Sequence, residues 1–91
     1  MLRQACLFIE GDVIGVGFRA WTKIQAKLTG VKGWVRNHKD GFVETVIQGD
    51  EDKVDKMIEI LKQGSPVSRI TNVEIFHQDP KEVFSSFEIL K

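Results

Sequence analysis

Lys39-Asp40-Gly41 stands between two apolar runs, residues 31 to 37 and 42 to 48. Asp-Gly at such a junction supplies the positive-φ residues of a tight hairpin, so the two runs are expected to be adjacent antiparallel strands. On both outer sides of this hairpin the periodicity turns helical. Before it, Trp21, Ile24, Leu28 and Val31 recur at three and four residues, which predicts a helix starting near Phe18 or Arg19 and stopping near Gly30. After it, Val54, Met57, Ile58 and Leu61 form a second stripe, opened by Asp50 as a capping residue with Glu51 and Asp52 in the first turn, and closed by Lys62 and Gly64. Apolar residues on both faces of 3 to 10 predict a central strand. Residues 68 to 77 predict a fourth strand, and 84 to 90 a short fifth. The order is therefore βαββαβ with a terminal strand. The layer rules turn that order into the ferredoxin-like α+β arrangement, an α/β sandwich with two helices on one face of an antiparallel sheet.

The chain has 91 residues, which fits one domain spanning 1–91 whose folding buries roughly 60 to 65% of the surface exposed by the unfolded form. Lys plus Arg and Asp plus Glu both number 13, so the formal net charge is zero. A balanced chain has no long-range field to gather a polyanion, which argues against nucleic acid as a partner. Cys6 is the single cysteine. It allows no intramolecular disulfide and no cysteine-based metal cluster, and it reads as a small buried strand residue. The apolar run at the N-terminus is too short for a signal peptide or a membrane span, and Glu10 interrupts it. The expected setting is cytoplasmic, away from membranes, and the expected state monomeric.

Fold alone leaves function open. The most distinctive chemistry lies between the first strand and the first helix, where residues 11 to 19 read GDVIGVGFR. Glycines at 11, 15 and 17 permit positive φ and close backbone approach, so successive N–H groups can point into one concavity, a nest suited to phosphate. A helix N-terminus follows, adding unpaired N–H groups and a favourable dipole. Arg19 sits in that first turn, where the dipole disfavours a cation, which suggests an anion between the two. Alternatively, the glycines only make a tight turn and Arg19 is a solvated side chain. The segment is not a Walker loop, because Gly-Lys-Ser/Thr is missing. It is not a dinucleotide fingerprint either, since Ala20 stands where the third glycine belongs.

Taken with GWVRN at 33 to 37, DG at 40 to 41 and FVE at 42 to 44, the loop resembles the signature of the acylphosphatases, and the likeness runs the whole chain, including Gly64 and Pro66. The resemblance implies a ferredoxin-like sandwich that hydrolyses carboxyl-phosphate bonds of small acyl phosphates with no metal and no cofactor. It implies that Arg19 binds the phosphate and that Asn37 positions the attacking water. Inorganic phosphate is then both product and competitive inhibitor. Ile14 departs from the glutamine usual in the family, which keeps the main-chain donor and loses a side-chain contact; Thr29 replaces a usual leucine.

This chemistry needs few residues. The leaving carboxylate is stable as an anion near neutral pH, so no general acid is required, and the chain offers no paired carboxylates and no His/Asp or Cys/His constellation. Charge in phosphoryl transfer spreads over the equatorial oxygens, which makes the N–H groups of Ile14, Gly15, Val16, Gly17, Phe18 and Arg19, with the Arg19 guanidinium, the expected phosphate-binding apparatus. Asn37 can hold water through its amide without acting as a base. His38 is a poor candidate base, because strand neighbours face opposite sides. Arg36 is expected to be exposed or ion-paired, His77 to lie on the surface, Phe18 to anchor the loop, and Trp21 and Trp34 to pack at the core or its edge. Two rivals remain at this point. One is a phosphate-binding module without turnover, disfavoured by the joint presence of Arg19 and Asn37 in a chain ending at Lys91. The other is an RNA-recognition module, disfavoured by neutral charge and by Phe42 standing alone on its strand.

Overall fold

The computed structural model describes residues 1–91. Along the chain run β1 (Leu2–Asp12), α1 (Phe18–Thr29), β2 (Lys32–Asn37), β3 (Val43–Asp50), α2 (Glu51–Gln63), β4 (Arg69–Gln78) and β5 (Phe87–Ile89). The sheet order is β4-β1-β3-β2-β5. Pairing is antiparallel among β4, β1, β3 and β2, as expected, whereas β5 adds to β2 in parallel, Gly33 opposite Phe87 and Val35 opposite Ile89. The sheet is thus mixed, and the purely antiparallel expectation is corrected at its last strand. The residues between β4 and β5 carry the chain to the far edge, so β5 arrives beside β2 pointing the same way. Both helices cover one face, giving the ferredoxin-like α+β sandwich.

Strand alternation sorts side chains between the two faces. Ala5, Leu7 and Ile9 of β1, Val35 of β2, and Val43 and Ile47 of β3 are fully buried against the helices, where they meet Val54, Met57, Ile58 and Leu61 of α2. The α2 stripe is the expected one. Asp50 holds the N-cap position, but its side chain makes no capping hydrogen bond.

The buried face of α1 differs from the expectation. Phe18, Thr22 and Ala26 are its buried residues, while Ile24 is 57% and Leu28 76% exposed. The side α1 buries thus carries the small residues Thr22 and Ala26 behind Phe18; the hydroxyl of Thr22 donates to the Phe18 carbonyl at 2.8 Å, so burying it leaves no polar atom unsatisfied.

The open face of the sheet carries an aromatic row. The Phe8 ring lies 5.4 Å from Phe42 and 5.6 Å from Phe76, both edge-to-face, and His38 stacks on Phe42 at 4.2 Å. Phe42 directly precedes β3, which has no aromatic residue of its own; its ring neighbours come from β1 and from His38, just past the end of β2. Arg36 donates to Glu44 at 2.8 and 3.0 Å and lies over Trp34. At one end of this face the buried Gln48 donates to Gln4 and to the Glu82 carbonyl, and accepts from the Phe84 N–H. Phe84 thus belongs to the connection and not to the fifth strand. That polar clamp fixes the crossing to β5.

Candidate active site

β1 ends at Asp12, and the turn to α1 is made by glycines. Gly15 and Gly17 adopt φ of 77° and 74°, the left-handed region that a Cβ disfavours, and Gly17 is the N-cap of α1. A Cβ at either position would meet nothing within 4 Å, so backbone conformation alone calls for glycine there. No side chain caps the helix, and its first turn holds no acidic residue. The consequence is a run of free donors: the main-chain N–H groups from Ile14 to Ala20 donate to no acceptor within the chain, the first internal bond of the helix being Trp21 N–H to the Gly17 carbonyl at 3.0 Å.

Phe18 locks this turn to the core. It is buried, with its ring 5.2 Å from that of Trp21. One residue on, Arg19 is half-buried. It makes a single long contact, from Nη1 to the Leu90 carbonyl at 3.4 Å, and takes part in no ion pair. Most of its planar fork is thus left free to bind a ligand.

Asn37 reaches the same place from β2. Gly33 and Val35 face the helices, and alternation sends Asn37 to that side also, at the strand end nearest the start of α1. Its Oδ1 is buried without a hydrogen-bond partner. An orphaned acceptor costs about 1 to 3 kcal/mol and calls for an explanation. The fold brings these groups together in one cavity of about 180 Å³, lined among others by Gly15, Gly17, Phe18, Arg19 and Asn37.

Of the residues singled out from the sequence, Ile14 and Val16 contribute no lining surface, and the Ile14 side chain is 44% exposed. Two groups had no sequence signal. Ile89 lines the cavity and the Leu90 carbonyl anchors Arg19, and both arrive through the parallel pairing of β5. A local pattern contains no information on that pairing. His38 turns to the open face, stacked on Phe42, and no group of three or more His, Cys, Asp or Glu side chains converges to hold a metal ion.

Neutralising such a cluster of donors takes an anion with several acceptor oxygens, and the orphaned amide oxygen across the cavity takes a donor such as water. That combination suits phosphoryl transfer. Comparison with known proteins agrees. The acylphosphatase family profile matches residues 5–89. An acylphosphatase of Syntrophobacter fumaroxidans is 49% identical over 87 residues, covering 96% of this chain and 90% of the relative. One from Pelotomaculum thermopropionicum is 42% identical over 86 residues, 94% of each chain. The crystal structure of acylphosphatase from Bacillus subtilis superposes with a TM-score of 0.93 at 34% identity, covering 100% of both chains. The chain belongs to the acylphosphatase family, hydrolases of acyl phosphates.

Proposed function

We propose that the cavity between the glycine turn and the end of β2 is where this protein hydrolyses small acyl phosphates, with Arg19 and Asn37 as its catalytic residues and no metal ion in the reaction. The observation that carries this reading is the meeting, in one small pocket, of unpartnered N–H groups, an unpaired guanidinium and an orphaned amide oxygen. The N–H groups of residues 14 to 19 and the Arg19 fork bind the three non-bridging phosphoryl oxygens. Asn37 accepts a hydrogen bond from water at Oδ1 and holds that oxygen in line with phosphorus. The new P–O bond forms as the bridging P–O bond breaks. The bridging pair of electrons leaves on the carboxylate, and a phosphoryl oxygen takes the proton from water.

Positioning and charge stabilisation then supply the rate enhancement, with no general acid or base on the enzyme. Because the grip is on the phosphate end, inorganic phosphate competes with substrate. We read the same protein as one domain over residues 1–91, acting as a monomer in the cytoplasm without nucleic-acid or membrane partners. The direct test is steady-state hydrolysis of benzoyl phosphate in excess EDTA. Turnover that survives chelation and is inhibited competitively by phosphate supports the reading; turnover abolished by EDTA and restored by a divalent cation overturns it.

A further inference from the structure

The cavity holding Arg19 is not the largest on the molecule. Beside it, between α1 and β5, lies a groove of about 320 Å³ lined by Lys23, Lys27 and Lys32, with Ser85, Ser86 and Glu88 among the residues opposite. The two cavities are neighbours along both walls: Arg19 precedes Lys23 by one helical turn on α1, and Ile89 adjoins Glu88 on β5. Arg19, Lys23 and Lys27 are spaced four residues apart, so they share a helix face and form a basic row advancing about 6 Å per step away from the site. None of the three groove lysines enters an ion pair. The single carboxylate there, Glu88, is occupied by the Ser86 hydroxyl, which donates to it at 2.6 Å. Lys27 suits the C-terminal end of the α1 dipole, but that does not account for Lys23 in the middle of the helix or for Lys32 on β2. In a chain with zero formal net charge, three unpaired cations around one groove are a local concentration of positive charge.

We propose that this groove is a second anion subsite for the same reaction, and that it favours acyl phosphates whose acyl end carries a further carboxylate or phosphate. The proposal rests on the phosphoryl group binding at Arg19, as argued above. A substrate held there by its phosphoryl end and lying along the groove places an anionic tail beside Lys23, one turn further on. Lys23 is thus a specificity residue that touches the tail and not the reacting atoms.

The test compares benzoyl phosphate with 4-carboxybenzoyl phosphate, which differ only by the distal carboxylate, and reads the ratio of their kcat/KM values. The expected wild-type ratio favours the carboxylated substrate. Lys23→Ala lowers that ratio about fivefold, the scale of one solvent-exposed ion pair, through KM and not kcat. Lys23→Arg restores it, and Lys56→Ala on the opposite helix leaves it unchanged. A ratio that Lys23→Ala does not move, or that Lys56→Ala lowers equally, fails the test for that tail. A phosphate-tailed substrate is run in parallel and its ratio to benzoyl phosphate is judged by the same Lys23→Ala and Lys56→Ala criteria; a preference for either tail that Lys23→Ala removes supports the subsite, and neither tail meeting those criteria overturns it. Failure of the wild type to hydrolyse either substrate instead removes the reading of the Arg19 site on which the subsite depends.

Discussion

At the scale of single residues, the site is built from groups that the rest of the chain leaves unsatisfied. Arg19 has one contact at 3.4 Å and no carboxylate partner, although its fork can make several bonds at once. We expect Arg19→Ala to weaken phosphate binding and to lower kcat together, by at least a hundredfold in kcat/KM for benzoyl phosphate, from the loss of a charge-assisted donor worth about 3 kcal/mol or more at the transition state. Arg19→Lys recovers little of this, since a single ammonium cannot replace the planar fork. Measuring kcat/KM for both variants checks the claim, and a lysine variant of near-parental efficiency would show that charge alone suffices. Of the two proposed catalytic residues, Arg19 stood out in the sequence because a cation in a first helical turn runs against the dipole, whereas Asn37 was singled out only through the GWVRN motif of the family resemblance. Ile89 and the Leu90 carbonyl were not legible, because no rule of local spacing says which edge a three-residue strand will join.

At the scale of elements, α2 and α1 teach opposite lessons about periodicity. In α2 the apolar stripe and the buried stripe coincide, since Val54, Met57, Ile58 and Leu61 are all inside. In α1 the largest aliphatic residues, Ile24 and Leu28, are outside, and the helix is held by Phe18, Thr22 and Ala26. Apolar spacing gave the existence and extent of this helix but the wrong rotation about its axis. What decides the rotation is the fit of small side chains against the sheet, a tertiary constraint that a hydrophobicity count does not contain; the Thr22 hydroxyl, bonded to the Phe18 carbonyl within the same helix, only lets that residue be buried without an unsatisfied polar atom. The contrast can be measured. Leu61→Ala should destabilise the fold by about 2 to 5 kcal/mol through a core cavity, while Leu28→Ala should change stability by no more than about 0.5 kcal/mol. Chemical denaturation of the two variants decides the matter; a large loss at Leu28 would mean that α1 is rotated from the orientation described.

At the scale of the whole molecule, helices on one face and an open sheet on the other put two kinds of chemistry on opposite sides. The helix side ends in the cavity proposed to hold the phosphoryl group. The open side carries aromatic rings, the Arg36–Glu44 pair and the buried Cys6. Burial raises the Cys6 thiol above its ordinary value, with the nearby Glu44 carboxylate adding to the rise and Arg36 opposing it. The folded state therefore holds this proton more tightly than the unfolded chain does. Its stabilising effect is complete below the unfolded thiol value and declines as pH rises through and beyond it. The chain has no tyrosine to titrate in the same window. Unfolding free energy should thus show a downward slope above about pH 9 that Cys6→Ala reduces, as read by denaturant titrations from pH 7 to 10. An identical slope in the variant would assign the alkaline loss elsewhere. The layer arrangement and the antiparallel core were legible from the hairpin and the two helical stripes. The Gln48 clamp was not, because a buried glutamine in a strand has no periodic signature, and its partners lie more than thirty residues away in the chain.

In the proposed mechanism one carboxamide aims the attacking water while main-chain donors and a guanidinium hold the phosphoryl group. The measurement that bears on it most directly is kcat for benzoyl phosphate, together with the inhibition constant of inorganic phosphate, in wild type and in Asn37→Ala. The expected result is a fall in kcat of about 10²- to 10³-fold, by analogy with removing a single oxyanion-hole donor, with phosphate inhibition essentially unchanged. An Asn37→Ala enzyme that turns over at the parental rate, or one that loses phosphate affinity in step with rate, would contradict the division of labour between the two sides of the cavity.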